Sequence, residues 1–146
     1  MTLNASRRDG MRQRIFDAHL HIIDPAFPRV ANQGFLPAPF TVSGCLNRTR
    51  SLGVTAGALV SGSFQAFDQT YLLHALETLG PAFCGVTQVP AATPDEKILR
   101  HNSKGVRAAR FNLVRGGPES LDHLESFAVR IHQLAGWQIE LYIDSR

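Results

Sequence analysis

Apolar and polar positions along the chain fall into alternating strand-like and helix-like runs. Residues 15–23 carry Phe16, Ala18, Leu20 and Ile22 against Asp17, His19 and His21, a period of two that predicts a strand. A Pro/Gly-rich loop follows from Asp24 to Pro39, then a helix over residues 42–52 that Gly53 ends. Residues 56–61 predict a second strand. Leu72, Ala75, Leu76 and Leu79 recur at helical spacing behind Asp68, whose carboxylate suits an N-cap, and Gly80 stops that helix. Residues 83–89 read as a third strand. Thr93-Pro94-Asp95-Glu96 has the pattern of a capping box with proline at the first helical position, opening a short helix that closes near Gly105. Residues 106–114 predict a fourth strand. Leu121, Leu124, Ala128, Ile131 and Ala135 share one face of a last helix, with Glu119 and Asp122 at its positive end and Gly136 after it. Residues 138–143 predict a fifth strand.

Strands that alternate with helices imply right-handed crossovers and a parallel sheet. A five-stranded doubly wound sheet and the first five strands of a (β/α)8 barrel both fit. Neither GxGxxG nor GxxxxGK[ST] follows the first strand, so dinucleotide and P-loop binding lose most of their weight.

Composition narrows the class further. With 44% hydrophobic and 18% charged residues the chain is globular rather than disordered. No apolar run approaches the ~20 residues of a membrane span. The net charge of +3 is local, because Arg7, Arg8, Arg12 and Arg14 against Asp9 account for all of it. Residues 1–13 therefore read as a basic disordered leader ahead of one domain over residues 14–146. No aromatic residues interleave with its arginines, which argues against a nucleic-acid partner. Cys45 and Cys84 lie far apart without a CxxC pair, which excludes a disulfide scaffold and fits a reducing cytoplasm.

The chemistry concentrates in Asp17-Ala18-His19-Leu20-His21. Alternation puts both imidazoles on one strand face, about 7 Å apart, where they can share a metal ion or bracket a substrate oxygen. Arg107 and Arg110, three apart on a regular strand, face opposite ways, and Arg107 is the structural one. Arg115, in a Gly-Gly loop, is within reach of a ligand. His74, His101, His123 and His132 lie on or beside helices and are expected at the surface.

Phe16-Asp17-Ala18-His19-Leu20-His21 resembles the first-strand HxH signature of the amidohydrolase superfamily. Gln88-Val89-Pro90, the strand Gly105-Val106-Arg107-Ala108-Ala109-Arg110-Phe111-Asn112 and the turn from Ser61 to Asp68 are similar to the branch that contains 2-pyrone-4,6-dicarboxylate hydrolase and related lactonases. The resemblance covers roughly residues 14–146 and implies an incomplete (β/α)8 barrel, strands one to five. It implies that His19 and His21 bind a divalent metal such as zinc, or contact substrate directly as in the metal-free branch. It implies that Arg110 grips a substrate carboxylate, a geometry that suits a planar guanidinium. Ser61 or Ser63 would touch substrate, and Tyr142 would face the pocket. Structural readings stand beside these roles: Arg110 as an ion-pair partner, the serines as turn residues, Tyr142 as core.

Two departures bear on function. Phe35-Leu36-Pro37 stands where the family often offers a tyrosine before a proline. A full barrel takes about 250 residues; here the chain ends after the fifth strand, without the sixth-strand histidine or the eighth-strand aspartate that activates water. The expectation is a truncated hydrolase of a lactone or similar cyclic ester of a small carboxylate. The alternative is a non-catalytic remnant or a small-carboxylate-binding open-sheet domain. The first and fifth strands would then be open edges that invite self-association.

Overall fold

A computed structural model describes residues 14–115, 119–144 and 146; the leader expected over residues 1–13 lies outside them. Five strands, β1 (Ile15–Leu20), β2 (Val54–Val60), β3 (Phe83–Thr87), β4 (Val106–Asn112) and β5 (Gln138–Tyr142), alternate with four helices, α1 (Val42–Thr49), α2 (Thr70–Leu79), α3 (Asp95–Ser103) and α4 (Leu124–Ala135). All pairings are parallel and the spatial order is β1-β2-β3-β4-β5. A doubly wound sheet would reverse direction at a switch point. Monotonic order is that of a barrel, and the fold is α/β, five strands of an incomplete (β/α)8 barrel.

The two faces of the sheet differ in side-chain size. Helices cover one face over a core of Leu20, Ile22, Leu59, Leu72, Ile98, Phe111 and Ile131, closed by Trp137, whose indole donates to Asn102 Oδ1 at 3.1 Å. The other face carries the smaller Ala58, Val60 and Val86, with Cys84 and Ala108 against them. Branched side chains such as Val60 and Val86 are the kind that fill a barrel interior.

Local chemistry sets most boundaries. Thr41 Oγ1 accepts from the Gly44 amide and caps α1, and Gly53 leaves the following single-turn helix at φ 81°. Asp68 is not the N-cap expected of it: Gln69 takes that position, and Asp68, one residue earlier, accepts from the Thr70 amide at 2.9 Å, while Gly80 ends α2 at φ 80°. The Thr93 capping box does not form. Thr93 is buried in the preceding turn, its amide on Pro90 O and its carbonyl held by Arg130, so α3 begins one residue past Pro94. On α4 the packed stripe runs through Leu124, Phe127, Ile131 and Leu134, and Leu121 is exposed in a separate turn.

His101 is a second correction. It is buried, with Nδ1 lacking any partner, because its position on α3 faces the sheet. Burial lowers its pKa from the usual 6.5, and Lys97 and Arg100 push the same way.

Two predictions follow from this packing. A Cβ on Gly57 of β2 would sit 2.9 Å from the Asp17 carbonyl oxygen of β1, so Gly57→Ala lowers stability by ~1–3 kcal/mol, the range for overpacking, in denaturant titration. A folded-state His101 pKa below the unfolded value means that unfolding takes up a proton. The stability tied to His101 is complete above pH ~6.5 and is lost as pH falls below it. Denaturation midpoints should drop between pH 7.5 and pH 5, and His101→Leu should shallow that drop.

Candidate active site at the strand ends

The carboxyl ends of β1, β2, β4 and β5 converge on an open cavity of about 780 Å³, within the size range of small-molecule sites. His19 and His21 enter from β1, Gly62, Ser63 and Phe64 from the turn after β2, Arg110 and Asn112 from β4, and Glu140 and Tyr142 from β5.

The histidines owe their placement to an irregularity in β1. Three residue steps from Asp17 to Leu20 oppose two from Gly57 to Leu59, a bulge that re-aims the chain. Asp17 Oδ1 accepts from the His19 amide at 3.1 Å within it. Leu20 and Ile22 still enter the core, and the two imidazoles meet edge to face with centroids 5.0 Å apart. His21 Nδ1 lies 2.6 Å from the Val60 carbonyl oxygen, so Nδ1 carries the proton and Nε2 the lone pair. Burial lowers the His21 pKa, with His19 and Arg110 adding to the effect against the Val60 bond and Glu140, which keeps the ring neutral at neutral pH.

Arg110 is the buried charge of the site, its side chain only 6% exposed. Nε lies 3.3 Å from Glu140 Oε1, close enough to pair the charges but off the line of a hydrogen bond. Nη1 reaches His19 Nε2 at 3.4 Å and the Ser61 carbonyl at 3.5 Å, and the guanidinium lies 5.2 Å from the Tyr142 ring centroid. Because arginine only donates, His19 Nε2 holds a lone pair, and its Nδ1 faces Glu140 Oε1 at 3.8 Å.

Beneath the cavity runs a buried polar network. Gln69 Oε1 accepts from Ser61 Oγ at 2.6 Å, Thr87 Oγ1 at 2.8 Å and the Gln88 amide at 3.4 Å; Tyr71 OH lies 2.8 Å from Ser61 Oγ. Gln88 Nε2 donates to the Ser61 carbonyl at 3.2 Å. Gln65 ties the turn after β2 to the chain after β1, accepting from the Gly62 amide and donating to Ile22 O. The next residue, Ala66, is held at φ 45°, a left-handed conformation rare outside glycine.

The loop after β1 forms the mouth. Ile23 and Phe40 exchange both backbone hydrogen bonds at 2.8 Å, and Asn32 and Phe35 close a tight hairpin through Gln33 (φ 51°) and Gly34 (φ 79°). Asn32 Nδ2 donates to Arg115 O at 2.7 Å, and the Arg115 guanidinium stands 5.9 Å from the Phe35 ring centroid.

The amidohydrolase family model matches residues 16–144. The chain belongs to the amidohydrolase family. No curated protein matches the sequence significantly. Among solved structures, the chain is similar to a probable 2-pyrone-4,6-dicarboxylic acid hydrolase from Acinetobacter baumannii with citric acid bound, at 21% identity and TM-score 0.77, over 88% of this chain and 49% of that one. An Agrobacterium tumefaciens protein in its apo form matches at 21% identity and TM-score 0.76, over 86% and 46%. A protein of the same designation as the first, from Pseudomonas putida, matches at 28% identity and TM-score 0.69, over 86% and 47%. The chain thus spans about half the length of these structures.

One cavity gathers His19, His21, Ser63, Arg110 and Tyr142, with Arg115 at its mouth. Ser61 is not on its wall: the hydroxyl is fully buried and committed to Gln69 and Tyr71, because the chain turns at Gly62. Arg107 is structural, with Nη1 on the Asn102 and Val106 carbonyls. Two of the important residues escaped sequence reading, Glu140 and Gln69. Glu140 sits two positions before Tyr142 on a strand, so the alternation that selects Tyr142 selects it too. Gln69 has no comparable signal.

The donors described here do not by themselves complete a divalent-metal site. Among the described residues no three His, Cys, Asp or Glu side chains come together, whereas zinc takes at least three protein ligands. The His19 lone pair already faces the Arg110 cation, which would oppose a dication at the same place.

Gln69→Leu strands the Thr87 hydroxyl and the Gln88 amide in the interior and leaves the Ser61 hydroxyl with Tyr71 alone. It should lower stability by ~1–3 kcal/mol, the cost of unsatisfied buried polar groups, in chemical denaturation.

Proposed function

We propose that this chain forms the substrate-binding and carbonyl-polarising wall of an amidohydrolase that opens a lactone or similar cyclic ester of a small carboxylate. One observation carries the reading: two adjacent histidines and a desolvated arginine converge on a cavity of small-molecule size at the carboxyl ends of parallel barrel strands, where barrel enzymes place their chemistry. Likeness to two solved proteins described as probable 2-pyrone-4,6-dicarboxylic acid hydrolases, one at 28% identity, supports the substrate class.

In this reading the ester carbonyl points at the Arg110 guanidinium, which His19 Nε2 helps to orient, and His21 Nε2 faces the attacking water. Charge that develops on the carbonyl oxygen is stabilised by the fixed guanidinium, whose water has been stripped by burial, so no solvent reorganises as the charge appears. His21 is kept unprotonated, and its Nε2 can take a proton from an attacking water or accept a hydrogen bond from the substrate. The resemblance assigns water activation to an aspartate on the eighth strand of the barrel; binding and polarisation are the tasks of the five strands described here.

The test is calorimetric titration of the chain with pyrone carboxylates. His19→Ala/His21→Ala should weaken binding by ~1–3 kcal/mol, the range for losing hydrogen bonds to charged groups, and equal binding by wild type and variant would overturn the reading.

A further inference from the structure

The charges on the cavity wall do not sum as two arginines would suggest. Among the described lining residues the cations are Arg110 and Arg115 and the anion is Glu140. Glu140 projects from β5 directly opposite Arg110 in the β4–β5 register and brings Oε1 to 3.3 Å from Nε. That carboxylate is partly buried and shared with His19. Arg110 therefore enters any binding event with its charge paired by Glu140 and Nη1 on Ser61 O and His19, which suits it to polarise a neutral ester carbonyl and makes it a poor anchor for a full carboxylate.

Arg115 differs. It stands at the mouth, and the groups fixed around it are its own backbone on Asn32 and Asn112 and the face of Phe35. None of these cancels its charge. The wall between the two arginines is apolar on the mouth side, through Ile23, Phe35, Pro37 and Phe64.

We propose that Glu140 occupies the seat of a second substrate carboxylate, and so makes this cavity select ligands with one carboxylate, anchored at Arg115, on an apolar ring. The inference rests on the proposed reading of the cavity as a lactone-carboxylate site and adds which charge state it accepts. A second carboxylate brought to Arg110 would meet Glu140 inside the same desolvated space, and like charges so placed oppose binding strongly. A ring with a single carboxylate leaves the Glu140–Arg110 pair intact and satisfies Arg115.

The probes are 2-pyrone-6-carboxylate and 2-pyrone-4,6-dicarboxylate, which share a ring and differ by one charge, titrated into the full chain by calorimetry. Wild type should bind the monocarboxylate at least about 10-fold tighter, and Arg115→Gln should weaken it about 10-fold or more. Glu140→Gln frees Arg110, so the monocarboxylate-to-dicarboxylate affinity ratio should fall by about 10-fold. Tighter dicarboxylate binding by wild type, or a ratio unmoved by Glu140→Gln, overturns the role of Glu140 and leaves the lactone-carboxylate reading standing. Binding of neither probe overturns that reading and this inference together. If Glu140→Gln fails to fold, the wild-type ratio and Arg115→Gln decide.

Discussion

A guanidinium held out of water at the end of β4 is the constraint around which this site is organised. Burying a charge is costly unless it is paired and its donors are met. Each neighbour of Arg110 answers part of that demand: Glu140 supplies the opposite charge, the Ser61 carbonyl and His19 Nε2 accept from Nη1, and Tyr142 offers a ring face. These partners come from β1, the end of β2, and β5, so meeting one buried charge fixes the relative placement of most of the strand ends. The buried network under Ser61 extends the same logic, since Ser61 can present its carbonyl upward only while Gln69 and Tyr71 hold its hydroxyl below.

Much of the fold was legible in the sequence because its elements obey local rules. The two-residue alternation of β1, the helical spacing of Leu72 to Leu79 and the glycines that end α2 and α4 each follow from a few neighbouring residues. Where reading failed, distant partners had intervened. Arg130 on α4 holds the carbonyl of Thr93, and no pattern near Thr93 announces that its capping box will be dismantled. His101 has the polar flanks of a surface position, and only the packing of α3 on the sheet puts it inside.

The site was legible on β1 and β4, where HxH and the arginine lie in continuous strands. It was less so at β5 and in the turn after β2. Ser61 and Ser63 are separated by one glycine, and which of them meets the cavity depends on a turn that Gln65 braces from the side. Glu140 takes its meaning from Arg110 directly opposite it, a pairing that no local pattern announces.

The hairpin at the cavity mouth has an evolutionary consequence. Its base is a reciprocal pair of hydrogen bonds between Ile23 and Phe40, and its tip is a two-residue reversal that rests on the loop after β4 through Asn32. Phe27 on the core and the Val30 amide on Phe64 O tie down the first part of the loop, but past Val30 its length has room to change, because adding residues to a closed loop costs only slowly growing entropy. The mouth is thus a replaceable cassette. Descent can lengthen, shorten or re-letter it, exchanging Phe35 and Pro37 for other side chains and so changing what enters, while the histidines and the paired arginine beneath keep their geometry.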